Sequence, residues 1–520
     1  MAAVLVTAGG AVGALPAVSR VVLPDSAATV AGAITTDVAT AVCSSVPAGR
    51  ARCLAEVRTD SQAKQARPTI LGAARPSSVG PQGGLGDNGA YSPSYLQSAY
   101  GVYGDAAPVG TTIGIVDAFD DPTAASDLAN YRSDFGLSAC GSGCFTKVDE
   151  NGGTNYPASD NAWAFEISID LDMASAMCPS CDILLVEAAS DQLSDLGAAE
   201  NTAANLGAAV ISNSYGSAEY ATETSDDASY FTHPGVVELA ASGDSGYGVS
   251  FPAASPHVVA VGGTTLIQTS DTGVRAATES AWVHAGSGCS LYEPKPAWQT
   301  DTGCATRTVA DLSADADPDT GVWVYDTTGQ SGFLIAGGTS AAAPIVAGVY
   351  ALAGKPPMGS QPAAYPYTGV SGITSRVIND IVGGSNGSCP SYYLCNASPG
   401  YDGPTGLGTP NGLAAFSPYA LVSGGDPDGP DQFVTFDAQA NTPGEQDTVT
   451  FSASSNTSPD CASIALDLLG GAFCAIAFPN DGSFTIVATF SNGSQTATAE
   501  SLTETVQGAV PSPFDFAQDG

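Results

Sequence analysis

The chain has 520 residues, with 52 Asp and Glu against 14 Lys and Arg and a formal charge of −38. That imbalance excludes a nucleic-acid partner, which needs basic patches to hold phosphates. No apolar run of 18 or more follows the N-terminal stretch, so no membrane span is expected.

Residues 1–17 are rich in Ala, Gly and Val and resemble the apolar part of a secretion signal, with Ala14-Leu15-Pro16-Ala17 near a cleavage point. A basic start is missing, since the first positive residue is Arg20. Residues 1–22 are thus signal-like. Residues 23–90 read as a loop-like pro-region or linker, carrying six of the 14 basic residues. A domain spanning 91–420 follows. Its first core strand is predicted at 112–117. Helices at 124–135 and 193–205 alternate with strands at 182–187, 208–213 and 257–261. That alternation predicts an α/β class domain, a parallel sheet flanked by helices. Asp117 ends the first strand and is read as structural.

The segment 162–177 predicts a helix, with Ser159, Asp160 and Asn161 as cap candidates and Pro179 as the stop. Glu166 and Asp170 are four apart and share a face, within a stripe of Trp163, Ile167, Ala174 and Met177. A carboxylate on a buried stripe is costly unless it is paired or functional; an acidic, solvated face is the plainer reading, and Asp172 fits it better. Further on, Ser242-Gly243-Asp244-Ser245-Gly246 follows an apolar run, 236–239. A turn aspartate at a strand's C-terminal edge is where α/β enzymes place active groups, although an Asx turn has the same composition. Gly337-Gly338-Thr339-Ser340 then runs into a small-residue helix, 341–353. Glycines permit the tight turn, and the helix aims its positive end at the Ser340 hydroxyl. Such a serine attacks carbonyls when a base is near. His233, His257 and His284 lie in loop or surface contexts, none in a His-Gly-Thr helix start. The base must therefore be a carboxylate.

Asn379-Asp380-Ile381 and the Gly-rich stretch 398–408 place two aspartates, Asp380 and Asp402, among backbone oxygens that suit a hard cation. After a Gly/Pro/Asp linker at 421–431, residues 432–507 alternate as short strands with Asn-Gly turns, which predicts a small all-β sandwich. A tail, 508–520, closes the chain. Twelve cysteines form six close pairs: 43 and 53, 140 and 144, 178 and 181, 289 and 304, 389 and 395, 461 and 474. Tight local pairs predict six disulfides and an oxidising compartment.

Glu166-x-x-x-Asp170 on a helix, then Ser242-Gly243-Asp244-Ser245-Gly246, then Gly338-Thr339-Ser340 followed by Pro344, resembles in order and kind the sedolisin family of serine-carboxyl peptidases. The likeness runs through Ile211-Ser212-Asn213-Ser214-Tyr215-Gly216 and Glu279-Ser280-Ala281-Trp282, over about 92–418. It implies a subtilisin-like fold with Ser340 as nucleophile, Glu166 as base, Asp170 as its orienter and Asp244 as oxyanion donor. It implies that substrate lies antiparallel along Ser214, Tyr215 and Gly216, as an added edge strand. It also implies one structural Ca2+, held by the Asp380 and Asp402 side chains and the carbonyls of Ile381, Ser398 and Gly400. Sedolisin propeptides are longer than 23–90, which departs from the pattern. Residues 432–507 faintly resemble PKD-like accessory domains.

The resulting expectation is a secreted, monomeric, acid-active endopeptidase acting on proteins or peptides. The second class that fits is a non-catalytic secreted surface or adhesion protein that keeps a peptidase-like scaffold.

Overall fold

The computed structural model describes residues 39–59, 90–141, 143–268, 277–358, 360–368, 377–423, 432–440, 448–454, 461–466, 471–478, 482–491, 496–499 and 502–506. The signal-like segment 1–22, most of the linker 421–431 and the tail 508–520 lie outside the described residues.

Three short strands come first: β1 (Ala39–Ala41), β2 (Arg52–Cys53) and β3 (Glu56–Arg58). The helix α1 (Pro93–Ala99) opens the main domain. It is followed by β4 (Thr112–Ala118), α2 (Ala124–Asp134), β5 (Phe145–Asp149), α3 (Asn161–Met177) and β6 (Asp182–Ala188). Next come α4 (Leu193–Asn205), β7 (Val210–Asn213), β8 (Tyr215–Ala218), α5 (Glu223–Tyr230) and β9 (Val237–Ala241). The rest of the domain contains β10 (Ser250–Phe251), β11 (Val258–Gln268), β12 (Ala277–Ala281), β13 (Gly288–Pro294), β14 (Thr306–Val309), β15 (Leu312–Asp315), β16 (Val322–Asp326), β17 (Gly332–Gly337) and α6 (Thr339–Ala353).

The central sheet runs β12-β11-β9-β7-β4-β6-β5, with β15 also on β11. Every pairing in it is parallel except β11 with β12. These strands are near-continuous runs of Val, Ile, Leu and Ala, the composition of strands buried on both faces. One apolar core contains α1, α2, α3 and α6; another contains α4 and the opposite face of the sheet. The predicted α/β architecture is what the chain adopts.

α3 begins where the Asp160 side chain accepts from the N–H groups of Ala162 (2.9 Å) and Trp163 (3.1 Å), satisfying two first-turn donors. From Trp163 to Met177 every residue is buried. Asp172 departs from the solvated face expected of it: it is buried and accepts from the Tyr325 N–H at 2.8 Å. α3 lies between the sheet, α2, α6 and β16, so no face is left for water.

The region read as loop-like, 23–90, contains β1, β2 and β3 in its described part. β2 pairs antiparallel with β8, Arg52 opposite Gly216 and Cys53 opposite Tyr215. β3 lies between β1 and β17, pairing Val57 with Ala336 and Glu56 with Gly337. Apart from the local β1–β3 pair, this segment's strand pairing comes from β8 and β17, more than 150 residues away, which local sequence does not report.

The C-terminal strands form two sheets, one joining Tyr419–Ser423, Gln432–Ala440 and Gly471–Phe478, the other built on Thr448–Ala453 and Gly482–Ser491. They share a core of Phe436, Ile476, Phe451, Ile486 and Phe490. All six local cysteine pairs are disulfide-bonded.

Candidate active site

Asp244 follows the C-terminal end of β9, Ser214 follows that of β7, and Ser340 opens α6. All three therefore converge at the carboxyl edge of the sheet, with α3 bringing Glu166 and Asp170 alongside. Glu166, Asp170 and Ser340 have no solvent exposure.

Gly338 fixes the entry to α6. Its φ is +92°, and a Cβ there would stand 2.1 Å from the Leu54 carbonyl oxygen and 2.8 Å from Asp244 Oδ2. Only glycine allows that approach. The next residue, Thr339, donates to Asp244 Oδ1 from both its N–H (2.9 Å) and its hydroxyl (2.7 Å). The same hydroxyl accepts from the Gly243 N–H at 3.1 Å. Thr339 thus ties the Ser-Gly-Asp turn to the nucleophile's helix. Sequence reasoning missed it, though it stands inside the Gly-Gly-Thr-Ser motif.

The Ser340 hydroxyl is turned toward the Ser214 carbonyl, 3.3 Å away. Glu166 has no hydrogen bond of full geometry on either oxygen among the described residues. The Ser340 hydroxyl and the Ala55 N–H nevertheless lie close enough to favour its ionised form. Burial acts more strongly, and with the neighbouring Asp170 and Asp244 it pushes the Glu166 carboxyl well above the usual range. Asp170 accepts from the Ser214 hydroxyl at 2.7 Å and is likewise raised by burial. Burial raises Asp244 to about 7, against the two Thr339 hydrogen bonds; Glu56 adds to the rise and Arg52 opposes it. Asp117, read as structural, is fully buried, and neither oxygen has a hydrogen-bond partner among the described residues. Burial, then Asp170, Glu166 and Glu187, raise it well above the carboxylate range.

No histidine is among the hydrogen-bond partners of Ser340. His257 binds Asp227 (2.9 Å), and His284 lies exposed beside Glu56. His233, expected in a loop or surface setting, is partly buried. It bridges Glu238 (2.6 Å) and Asn201 (2.8 Å), with Glu200 and Glu238 within 4.8 Å.

Ser214, Tyr215 and Gly216, expected along the substrate path, are covered by the chain's own segment 52–54. Beyond the β2–β8 pairing, the Leu54 N–H donates to the Ser214 carbonyl at 3.1 Å. A cleft of about 400 Å3 continues from there between 45–54, 216–218 and 242–250.

At the expected calcium site, Asp380 accepts from the Gly400 N–H (3.0 Å) and Asp402 from the Ser398 N–H (2.9 Å). Asp402 also accepts from the Thr405 N–H (3.0 Å) and hydroxyl (2.9 Å). The two carboxyls are close enough to repel, and Ile381 is buried next to Ala281 and Ala397. Two neighbouring carboxyls are the hard oxygen donors a cation such as Ca2+ takes, while the backbone groups they meet here are N–H donors.

A model of the subtilase family matches residues 149–364. Kumamolisin of Bacillus sp. (strain MN-32) is 30% identical over 364 residues, 62% of this chain and 62% of that protein. Sedolisin of Pseudomonas sp. (strain 101) is 37% identical over 194 residues, 35% of this chain and 32% of its own. The structure of Pseudomonas sedolisin, a serine-carboxyl proteinase complexed with two molecules of pseudo-iodotyrostatin, superposes with a TM-score of 0.53. It does so at 27% identity, covering 62% of this chain and 95% of that one. The chain thus spans under two thirds of the length of the curated relatives it matches. These likenesses support the sedolisin family, within the wider subtilase fold.

Proposed function

We propose that this protein is a serine-carboxyl peptidase that cleaves peptide bonds under acid conditions. The observation that carries the reading is the convergence of three groups on one point: the buried Ser340 hydroxyl, the buried Glu166 carboxyl beside it, and the half-buried Asp244 across Gly338.

Ser340 Oγ attacks the carbonyl carbon while Glu166 takes its proton and later delivers it to the leaving nitrogen. Asp170, locked by Ser214, keeps Glu166 in place. Because burial raises both acids, the pair retains a proton in acid and Glu166 is a stronger base than an exposed glutamate. Asp244 takes the oxyanion-donor role. Its Oδ1 is spent on Thr339, so Oδ2 carries the proton and faces the position beside Gly338. An acid raised to about 7 keeps that proton through mildly acidic conditions. Substrate adds as an antiparallel strand on Ser214, Tyr215 and Gly216.

In this reading Asp380 and Asp402, with the carbonyls of Ile381, Ser398 and Gly400, would hold one structural Ca2+. That ion would neutralise two like charges and pin the loop 398–408. Six disulfides, and no membrane-crossing helix among the described residues, support secretion. The main domain is assigned to 91–420. The strands within 432–507 are assigned to an accessory module, and their two-sheet core supports the PKD-like likeness. The test is digestion of casein at pH values from about 2 to 8 by wild type and by Ser340→Ala. Activity in acid that Ser340→Ala lacks is expected; equal activity of the two would end the proposal.

A further inference from the structure

Away from the peptidase site, one buried cluster is short of positive charge. Glu200 stands on α4 and Glu238 on β9, and His233 lies in the loop between α5 and β9. One donor atom from each lies within 4.8 Å of the other two. Glu200 and Glu238 are 0% and 2% exposed, and His233 is half-buried.

The hydrogen bonds around His233 fix its tautomer. Asn201 Nδ2 donates to the Ser229 carbonyl at 3.3 Å, so its Oδ1 is the acceptor turned to His233 Nε2, 2.8 Å away. Nε2 therefore carries a hydrogen, and Nδ1 faces Glu238 Oε1 at 2.6 Å. A nitrogen lone pair and a carboxylate oxygen are both acceptors, so a proton or a cation must lie between them. A proton there satisfies those two atoms and no others. Glu238 Oε2 and both oxygens of Glu200 still have no hydrogen bond of full geometry among the described residues. The Asn213 amide beside Glu200 is engaged elsewhere: its Nδ2 donates to the Leu239 carbonyl (3.1 Å) and its Oδ1 accepts from the Tyr215 hydroxyl (2.8 Å). Unpaired carboxylate oxygens in a protein interior are costly. One cation at the centre serves all three side chains at once.

We propose that Glu200, His233 and Glu238 bind one Zn2+ ion. An imidazole nitrogen with two carboxylates suits Zn2+, whereas Ca2+ takes oxygen donors alone. Small side-chain rotations close the three donors to about 2.0–2.2 Å from the ion. Asn201 acts behind them as a positioning residue, holding the ring so that Nδ1 points inward. A cavity of about 180 Å3, lined by His233 and Glu238 with Thr232, Pro256 and His257, gives the ion an entrance and room for a water as fourth ligand. The ion would tie α4 and the loop after α5 to the start of β9, the strand that leads to Asp244. The role is structural, and the site is separate from the carboxyls of Asp380 and Asp402.

The experiment titrates Zn2+ into the metal-stripped full chain at about pH 7.5, with Ca2+ in excess, by calorimetry. One tight equivalent is expected, and Co2+ in its place should give the visible absorption of a four-coordinate ion. At Zn2+ about 100-fold above Kd, Tm should rise by about 3–4 °C. Glu200→Gln and His233→Gln should lose the equivalent and the Tm response. Asn201→Ala should weaken binding about 10–100-fold. Absence of binding in the folded wild type would overturn the proposal. So would equal affinity in Glu200→Gln and His233→Gln, which would place the ion on surface carboxylates. Should those two variants fail to fold by circular dichroism, Asn201→Ala at its half-buried position decides, and unchanged affinity there would overturn the site.

Discussion

Replacing Asp244 with asparagine separates the oxyanion role from general stability. Thr339 donates twice to Oδ1, so the variant's amide oxygen keeps both bonds and its NH2 takes the place of Oδ2, beside Gly338. An amide donates without needing a proton, whereas wild-type Asp244, raised to about 7, must be protonated. Two units below that value about 99% of the wild type carries the proton, and one unit above it about a tenth does. At about pH 5, kcat of the two proteins should therefore agree within a few-fold. At about pH 8 the wild type should have lost about tenfold to deprotonation of this group, while Asp244→Asn does not. Asp244→Ala removes the donor and should lose about 10²–10³-fold at every pH, or about 2.7–4 kcal/mol. The assay is kcat against pH on a fluorogenic peptide. An Asp244→Asn profile that keeps the wild-type alkaline limb, or an Asp244→Ala loss under about tenfold, would refute the assignment.

The reference carboxylate values alone place the optimum at roughly pH 3–5. Burial of Glu166 and Asp244 moves both limbs upward, so the peak should lie above that range, and a peak at about 3 would contradict these environments. Stability should follow the same acids. Asp244 and Asp326, each raised to about 7, are stabilising while protonated in the fold, fully so below their unfolded values near 4. That contribution is lost as pH climbs through about 7, so Tm at fixed calcium should fall between about pH 4 and 8; a rise would count against the burial. Chelation should lower Tm in wild type, and Asp402→Ala should abolish that response, read by calorimetry at one pH. A Cβ on Gly348 would meet Met177 Cβ at 2.4 Å, where α6 packs on α3. Gly348→Val should cost about 1–3 kcal/mol by denaturant melts and lower kcat by separating Ser340 from Glu166; an unchanged kcat would show that the helix contact does not set that distance.

Much of the site was legible because its chemistry sits on local signals. Asp160 caps α3, the Glu166–Asp170 spacing fixes one helix face, and Gly338-Thr339-Ser340 marks the turn before α6. What was not legible depends on distant partners. Asp172 resembles a solvent-facing acid until β16 closes over it. Residues 52–58 resemble a linker, because most of their strand pairing comes from the distant β8 and β17, with only β1 close in sequence. Thr339 has no visible role until Asp244 arrives from 95 residues away. The burial of Asp117 among three other carboxyls is likewise a product of the fold rather than of its local motif.

The most direct test of the central claim is kcat/KM for the fluorogenic peptide at about pH 5 in Glu166→Gln. The assay uses the full chain, with folding checked by circular dichroism. An amide cannot accept the Ser340 proton, so activity should fall to the level of Ser340→Ala. Wild-type activity in Glu166→Gln would contradict the carboxylate-base mechanism.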